Sequence, residues 1–225
     1  MTTRTPTIAE QAQTITVDAA TRLPNDVSSA FAADRATLDA HGVPAEVATP
    51  GTALPDAELL DVNSAPTTLG RLRGDRPAVV VLYRGAWCPY CNIALRTYQT
   101  DLVPALTERG VELIAVSPQK PDGSLSSVER NELTFTVASD PGNQLAAALG
   151  VLTRPSADSL AAQRSLGLDL TEVNADGQAN VPMPTVLVVD GTGVIRWIDV
   201  HPNYATRSEV ADILVAVDAM ERTGV

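Results

Sequence analysis

Cysteine is scarce in this chain of 225 residues: Cys88 and Cys91 are the only two. That count alone excludes a framework of structural disulfides. Histidine is equally scarce, with only His41 and His201. A structural zinc site wants four ligands at short spacings, and both histidines lie far from the cysteine pair in sequence, so no metal is expected. Apolar runs are short, and none approaches the ~18 residues of a membrane span. Positive charge is in deficit, with 16 Lys and Arg against 27 Asp and Glu and a net charge of -11. Nucleic acid and anionic membrane surfaces are therefore poor partners. The segment from Met1 to Pro6 leads into polar sequence with no apolar core of a signal peptide, so a cytoplasmic location is the expectation. A glycine-rich phosphate loop, a Ser/His/Asp set and internal repeats are all missing, and no cofactor is expected.

The composition that remains, 44% hydrophobic and 19% charged, is that of a globular protein. The length suits one domain with an extension. Apolar positions at helical spacing run through Ile8, Ala12, Ile15 and Ala19, then Val27, Phe31, Ala32 and Leu38. Pro24-Asn25 divides this stretch, and His41-Gly42-Val43-Pro44 closes it. Residues 1–50 are thus read as a helical extension and linker, either packed on the chain's own domain or serving as the arm of a homodimer. Residues 51–225 are read as the domain itself.

Within that domain strands and helices alternate. Strands are expected over Glu58 to Val62, 78–84, 111–117 and 133–138, and helices over 89–108, 124–131, 143–149 and 156–166. A hairpin of 185–189 and 193–199 across Asp190-Gly191-Thr192 follows, and an amphipathic helix over 206–221 ends the domain. The pattern implies an α/β fold with a central mixed β-sheet flanked by helices.

Trp87-Cys88-Pro89-Tyr90-Cys91 stands between the apolar strand beginning at Ala78 and the helix that follows. The start of a helix offers unpaired N–H groups and a positive dipole end, both of which favour thiolate over thiol. Lowering a thiol pKa from about 8.5 to about 7 raises the thiolate fraction at neutral pH from a few per cent to about half. Arg84 is a candidate cation for this shift, or else a surface charge. Trp87 and Tyr90 are packing aromatics or a lip over the thiols. On position alone Cys88, at the helix mouth, is expected to be the more exposed sulfur and Cys91, one turn in, the more shielded.

The chain resembles the thioredoxin-fold suprafamily in two places. Trp87-Cys88-Pro89-Tyr90-Cys91 matches its W-C-x-x-C turn, and Met183-Pro184-Thr185 matches its cis-proline before a strand. By this resemblance Pro184 is cis and the Met183 backbone receives an extended peptide or substrate thiol. A closer resemblance is to the alkyl hydroperoxide reductase/thiol-specific antioxidant (peroxiredoxin-like) family, from about Ala53 to Met220. It is carried by Leu54-Pro55-Asp56-Ala57-Glu58-Leu59, Thr68-Leu69-Gly70-Arg71-Leu72, Val137-Ala138-Ser139-Asp140, Ala148-Leu149-Gly150-Val151 and the hairpin from Val189 to Arg196.

The two resemblances nominate different sulfurs. The thioredoxin motif makes Cys88 the nucleophile and Cys91 its resolving partner. The peroxiredoxin pattern Y-P-x-x-x-T-x-x-C, laid from Tyr83, puts Cys91 in the peroxidatic position, with Arg84 for the proline and Cys88 for the threonine. That family's arginine, expected before residue 185, has no counterpart there, which leaves Arg84 to substitute. What the resemblance implies is a peroxidase that reduces hydrogen peroxide or organic hydroperoxides through a Cys88/Cys91 sulfenate–disulfide cycle, with thioredoxin or a similar dithiol as reductant. The alternative is a C-x-x-C thiol–disulfide oxidoreductase or redox sensor acting on protein disulfides. Candidate site residues are Cys88 and Cys91 for catalysis and Arg84, Trp87, Met183 and Pro184 for substrate binding.

Overall fold

The computed structural model describes residues 5–121 and 131–223. The helix expected over 124–131 falls, all but its last residue, outside them. Two helices open the chain, α1 (Ile8–Arg22) and α2 (Asn25–His41). Thr7 caps α1 in a reciprocal arrangement with Glu10, which satisfies N–H groups that have no partner within the helix. The break at Pro24 and the stop at Gly42 fall where the sequence places them.

Next come β1 (Glu58–Leu60), β2 (Pro66–Thr68), α3 (Leu69–Arg73), β3 (Ala78–Leu82) and α4 (Pro89–Thr97). One π turn, Tyr98–Leu102, joins α4 to α5 (Val103–Glu108). Pro104 explains that turn: it lacks an N–H for the ladder, and the Val103 N–H reaches back to Tyr98 O instead. The chain continues through β4 (Glu112–Ser117), β5 (Thr136–Ser139), α6 (Gln144–Ala148), β6 (Leu152–Thr153), α7 (Ala157–Ser165) and α8 (Leu170–Val173). It ends with β7 (Val181–Pro182), β8 (Thr185–Val189), β9 (Ile195–Val200) and α9 (Val210–Thr223).

Among the described residues seven strands form one mixed sheet in the order β2-β1-β5-β4-β3-β8-β9. β3 runs parallel to β4 and antiparallel to β8, with Val80 opposite both Ile114 and Leu187. All five β3 residues are buried, as expected of a central strand covered on both faces. Successive side chains alternate between faces. Val79 and Val81 join a core with Ile8, Ala12, Ile93, Leu95 and Ile213. Val80 and Leu82 join the opposite core with Leu69, Leu145 and Leu149.

Several expectations need adjustment. β5 begins at Thr136 rather than at 133, because Glu132 still holds a left-handed turn at φ 52. The last helix begins at Val210 rather than at 206, since side-chain hydrogen bonds hold residues 201–208 as a loop. Residues 66–68 form a strand and residues 170–173 a helical turn, both too short to leave a periodic signal in the sequence. Pro184 is not cis: no cis peptide bond occurs among the described residues. The chain runs straight from β7 through the Met183 N–H, bonded to Val151 O at 2.8 Å, into β8. A cis bond, which belongs to tight turns, has no turn to make here.

The N-terminal helices pack on their own chain. Ile8 and Ala12 are buried in the core beside α4, and Thr16 Oγ1 lies 3.0 Å from the Tyr90 hydroxyl. Glu209 carboxylate oxygens accept the Ile8 and Ala9 N–H groups. On α2, buried Asp34 accepts the Ser156 N–H at 2.9 Å, fastening α2 to the start of α7. Because Ile8 is 1% exposed, Ile8→Ala should lower unfolding free energy by about 2–5 kcal/mol in urea titration. A change under 0.5 kcal/mol would mean that α1 is a loosely tethered arm.

Candidate active site

Three segments converge on the cysteine pair. The first is the turn from Tyr83 to Cys88 at the end of β3. Gln119 Oε1 accepts the Ala86 N–H at 2.7 Å, and the Asn92 amide donates to Ala86 O at 2.9 Å, so both sides of the turn are pinned. Gly85 sits at φ 144 inside it, and a Cβ there would lie 2.4 Å from Trp87 Nε1. The turn therefore requires glycine for both its backbone and its space.

The second segment is the start of α4. Cys88 is the N-cap, Pro89 occupies the first turn, and Cys91 lies one turn further. Proline suits this place because its fixed φ is helical and its missing N–H is not needed. The third segment was invisible in the sequence: the loop between β9 and α9. Ser208 Oγ donates to Asp199 Oδ2 at 2.7 Å, and His201 lies 3.0 Å from the same carboxylate oxygen and 2.8 Å from Thr206 Oγ1. The buried Tyr98 hydroxyl, from the π turn, donates to Ser208 O at 2.7 Å. Between these anchors Arg207 turns inward, donating Nη1 to Tyr204 O and Thr206 O and bringing Nη2 to 2.9 Å from Cys91 Sγ and 3.8 Å from Cys88 Sγ.

Both thiols are free, and both are 1% exposed. The expected difference in exposure between them is therefore absent: α1, α4 and the Arg207 loop enclose both sulfurs. Electrostatics separates them instead. Burial pushes the Cys91 thiol up, but the hydrogen bond from Cys88, the Arg207 charge, the Arg84 backbone N–H and the Arg84 charge outweigh it and hold the group down at about 5. Burial raises the Cys88 thiol well above its usual value, and the Cys91 hydrogen bond and charge raise it further, against Arg207 and Arg84. These opposite shifts favour the thiolate on Cys91 and the proton on Cys88. For Arg207, burial opposes the charge, and the two sulfurs and their hydrogen bond more than restore it.

The predicted residues fall around this pair in different ways. Arg84 is buried at 4% exposed; its guanidinium stacks over Tyr204 at 4.1 Å and Trp87 at 5.1 Å. It acts on the thiols through its charge and its backbone N–H, whereas the guanidinium touching sulfur is that of Arg207. Trp87 and Cys88 line a largely apolar cavity of about 390 Å³ under the N-terminal helices. Cys91 opens on the other side, into a water-sized cleft of about 10 Å³ that it shares with Pro184, Thr185 and Arg207. Met183 does not offer its backbone to a substrate. Its N–H is taken by Val151 O, and its carbonyl accepts Thr185 Oγ1 at 2.9 Å. His41 ends α2 at the surface. Among the described residues no group of three or more His, Cys, Asp or Glu could hold a metal ion. No helix among them is long and apolar enough to cross a membrane.

A buried dithiol at the mouth of a helix after the central strand, with a thiolate held against a guanidinium, is the centre of a thiol redox protein on a thioredoxin-like fold. The chain belongs to the AhpC/TSA family, whose model matches residues 50–198. It is similar to the thiol-disulfide oxidoreductase ResA of Bacillus thuringiensis, at 28% identity over 107 residues, 47% of this chain and 60% of that protein. It is also similar to the chloroplastic peroxiredoxin Q of Sedum lineare, at 27% over 124 residues, 55% of this chain and 65% of that protein. The chain thus spans less than two thirds of either relative. A peroxidoxin from Mycobacterium tuberculosis superposes with a TM-score of 0.58 and 20% identity, covering 77% of this chain and 96% of the other. A reduced peroxiredoxin from Vibrio vulnificus in complex with hydrogen peroxide gives 0.61 and 19%, covering 76% and 99%. At these identities the likeness is one of fold.

The charge assignment has a measurable consequence. Thiolate absorbance near 240 nm in the reduced protein should titrate as one group at about pH 5. Arg207→Gln should move that titration upward by a unit or more. Because the folded value lies below the unfolded value of about 8.5, this group stabilises the fold above pH 8.5, and its contribution is lost as pH falls through 5. Titration of both thiols together above pH 8 would refute the assignment.

Proposed function

We propose that the protein is a thiol-dependent peroxidase in which Cys91 attacks the peroxide and Cys88 resolves the product. The observation that carries this reading is the cleft that Cys91 shares with Thr185 and Arg207. The peroxiredoxin resemblance calls for a hydroxyl and an arginine to hold peroxide oxygens, and neither stands at its expected place in the sequence. Thr185 and Arg207 supply those two groups from later segments. A water-sized space beside a buried thiolate favours the smallest oxidant and is far too small for a protein disulfide. The hydrogen-bonded Met183 backbone also argues against strand-like capture of a peptide.

In the proposed cycle the Cys91 thiolate attacks one peroxide oxygen and the O–O bond breaks. Cys91 becomes sulfenic acid, and hydroxide or alkoxide leaves and takes a proton. Arg207 is placed to stabilise the charge that develops on the leaving oxygen. Cys88 then gives up its proton and displaces the sulfenic hydroxyl as water, forming the Cys88–Cys91 disulfide. An external dithiol, thioredoxin or a similar molecule, attacks Cys88, the sulfur on the cavity side. Cys91 leaves readily because its thiolate is stabilised. Exchange within the bound dithiol completes the two-electron reduction. Of the two peroxide classes, hydrogen peroxide and organic hydroperoxides, the size of the cleft favours hydrogen peroxide.

The rival reading, a disulfide oxidoreductase like the ResA relatives, predicts a different substrate. Peroxide consumption coupled to dithiothreitol or thioredoxin should be seen in the native protein. It should fall by 10³-fold or more in Cys91→Ser, with insulin-disulfide reduction near background. Insulin reduction without peroxide consumption would overturn the proposal in favour of the rival.

A further inference from the structure

The cavity of about 390 Å³ on the Cys88 side is not used by the peroxide step. Its walls are mainly apolar, with Ile15, Ala19, Leu23, Phe31 and Leu168 among them. One end is different. Arg84 and Arg35 both line the cavity there, and both guanidinium groups stack on the same Tyr204 ring, at 4.1 and 5.8 Å. Trp87 and Gln163 also line the cavity; the Trp87 Nε1 is buried against Gly85 with no hydrogen-bond partner, and the Gln163 amide oxygen also has none.

Arg84 is the telling group. It is only 4% exposed, yet among the described residues its guanidinium forms no ion pair and no hydrogen bond; its contacts are the two aromatic faces. A buried cation with no direct ion pair is costly, and Arg84 meets the Cys91 charge only at longer range. The thiolate of Cys91 is already engaged by Arg207. Asp34, which borders a neighbouring cleft with Arg84, gives Oδ1 to the Ser156 N–H and makes no ion pair with either arginine. Two guanidinium groups at one end and a long apolar wall together describe a receptor for a molecule with one anionic end and one apolar end.

We infer that this cavity binds a small organic acid, its carboxylate on Arg84 and Arg35 and its apolar body between the two N-terminal helices. A carboxylate matches the guanidinium fork. The space is many times that of the water-sized cleft at Cys91 and has room for a medium-chain or aryl-alkyl acid. Bound there, the acid covers the face on which Cys88 lies, so the N-terminal helices become the wall of a ligand site as well as a packing element.

Isothermal titration calorimetry on the reduced full-length protein, with no peroxide present, tests this apart from any turnover. Octanoate should bind at least tenfold more tightly than octanamide, its neutral isostere, and acetate should show no binding. Arg84→Gln and Arg35→Gln should each weaken octanoate at least fivefold while leaving octanamide unchanged. Ala19→Phe, which fills the apolar wall, should weaken both. Should Arg84→Gln fail to fold, the half-exposed Arg35 and Ala19 positions still decide. Absent octanoate binding, equal binding of acid and amide, or octanoate affinity unmoved by the arginine and Ala19 substitutions would each overturn the inference.

Discussion

The contact of 2.9 Å between Arg207 Nη2 and Cys91 Sγ is the interaction on which the site depends. Cys91 is buried and Arg207 half-buried, and the thiol would not ionise there without the guanidinium beside it. Together they permit a thiolate in a place where desolvation by itself would leave two neutral thiols. Much of the local structure serves to hold that contact. The Arg207 loop is tied by Asp199, His201 and Ser208 at one end and by Tyr98 from the π turn. The thiol turn is tied by Gln119 and Asn92. A guanidinium that had to be ordered from solvent would lose much of this advantage to side-chain entropy.

The same arrangement gives the two sulfurs different neighbourhoods although they stand one turn apart. Cys91 faces Arg207, Thr185 and a cleft of water size. Cys88 keeps the proton, caps the helix and faces the larger cavity under α1 and α2. In the proposed cycle this divides the labour. Peroxide meets the charged sulfur, reductant meets the other, and the stabilised thiolate is the leaving group in the reductive step. The conflict between the thioredoxin and peroxiredoxin alignments thereby becomes a difference of half-reaction, with Cys91 struck from in the oxidative step and Cys88 struck in the reductive one.

The fold was legible wherever the signal was local. Pro24, Gly42 and Gly150 stop helices in both the sequence reading and the structure. The apolar run at Ala78 is the central strand, and the hairpin at Asp190 closes on the Asp190 side chain, which accepts the Thr192 and Val194 N–H groups. The dithiol, its helix and its family frame were also readable. Arg207 was not. It lies far from Cys91 in sequence and belongs to no motif, and the helical periodicity of the last segment was extended over it. Only Thr206 and Ser208, residue types that favour caps and turns over helix interiors, hinted that the helix begins later. Thr185 was missed for a similar reason: as the first residue of a strand it carried a packing signal, and its place beside Cys91 arises from strand pairing. Arg84 was found, but its side chain is engaged with Tyr204 and Trp87 rather than with sulfur.

The central claim, that charge and attack both belong to Cys91, is tested most directly by trapping the sulfenic acid. Each single Cys→Ser protein, fully reduced, is given one equivalent of hydrogen peroxide in the presence of dimedone and mapped by peptide mass spectrometry. The account predicts rapid, near-stoichiometric adduct on Cys91 in the Cys88→Ser protein and little on Cys88 in the Cys91→Ser protein. Faster adduct formation on Cys88 would contradict it.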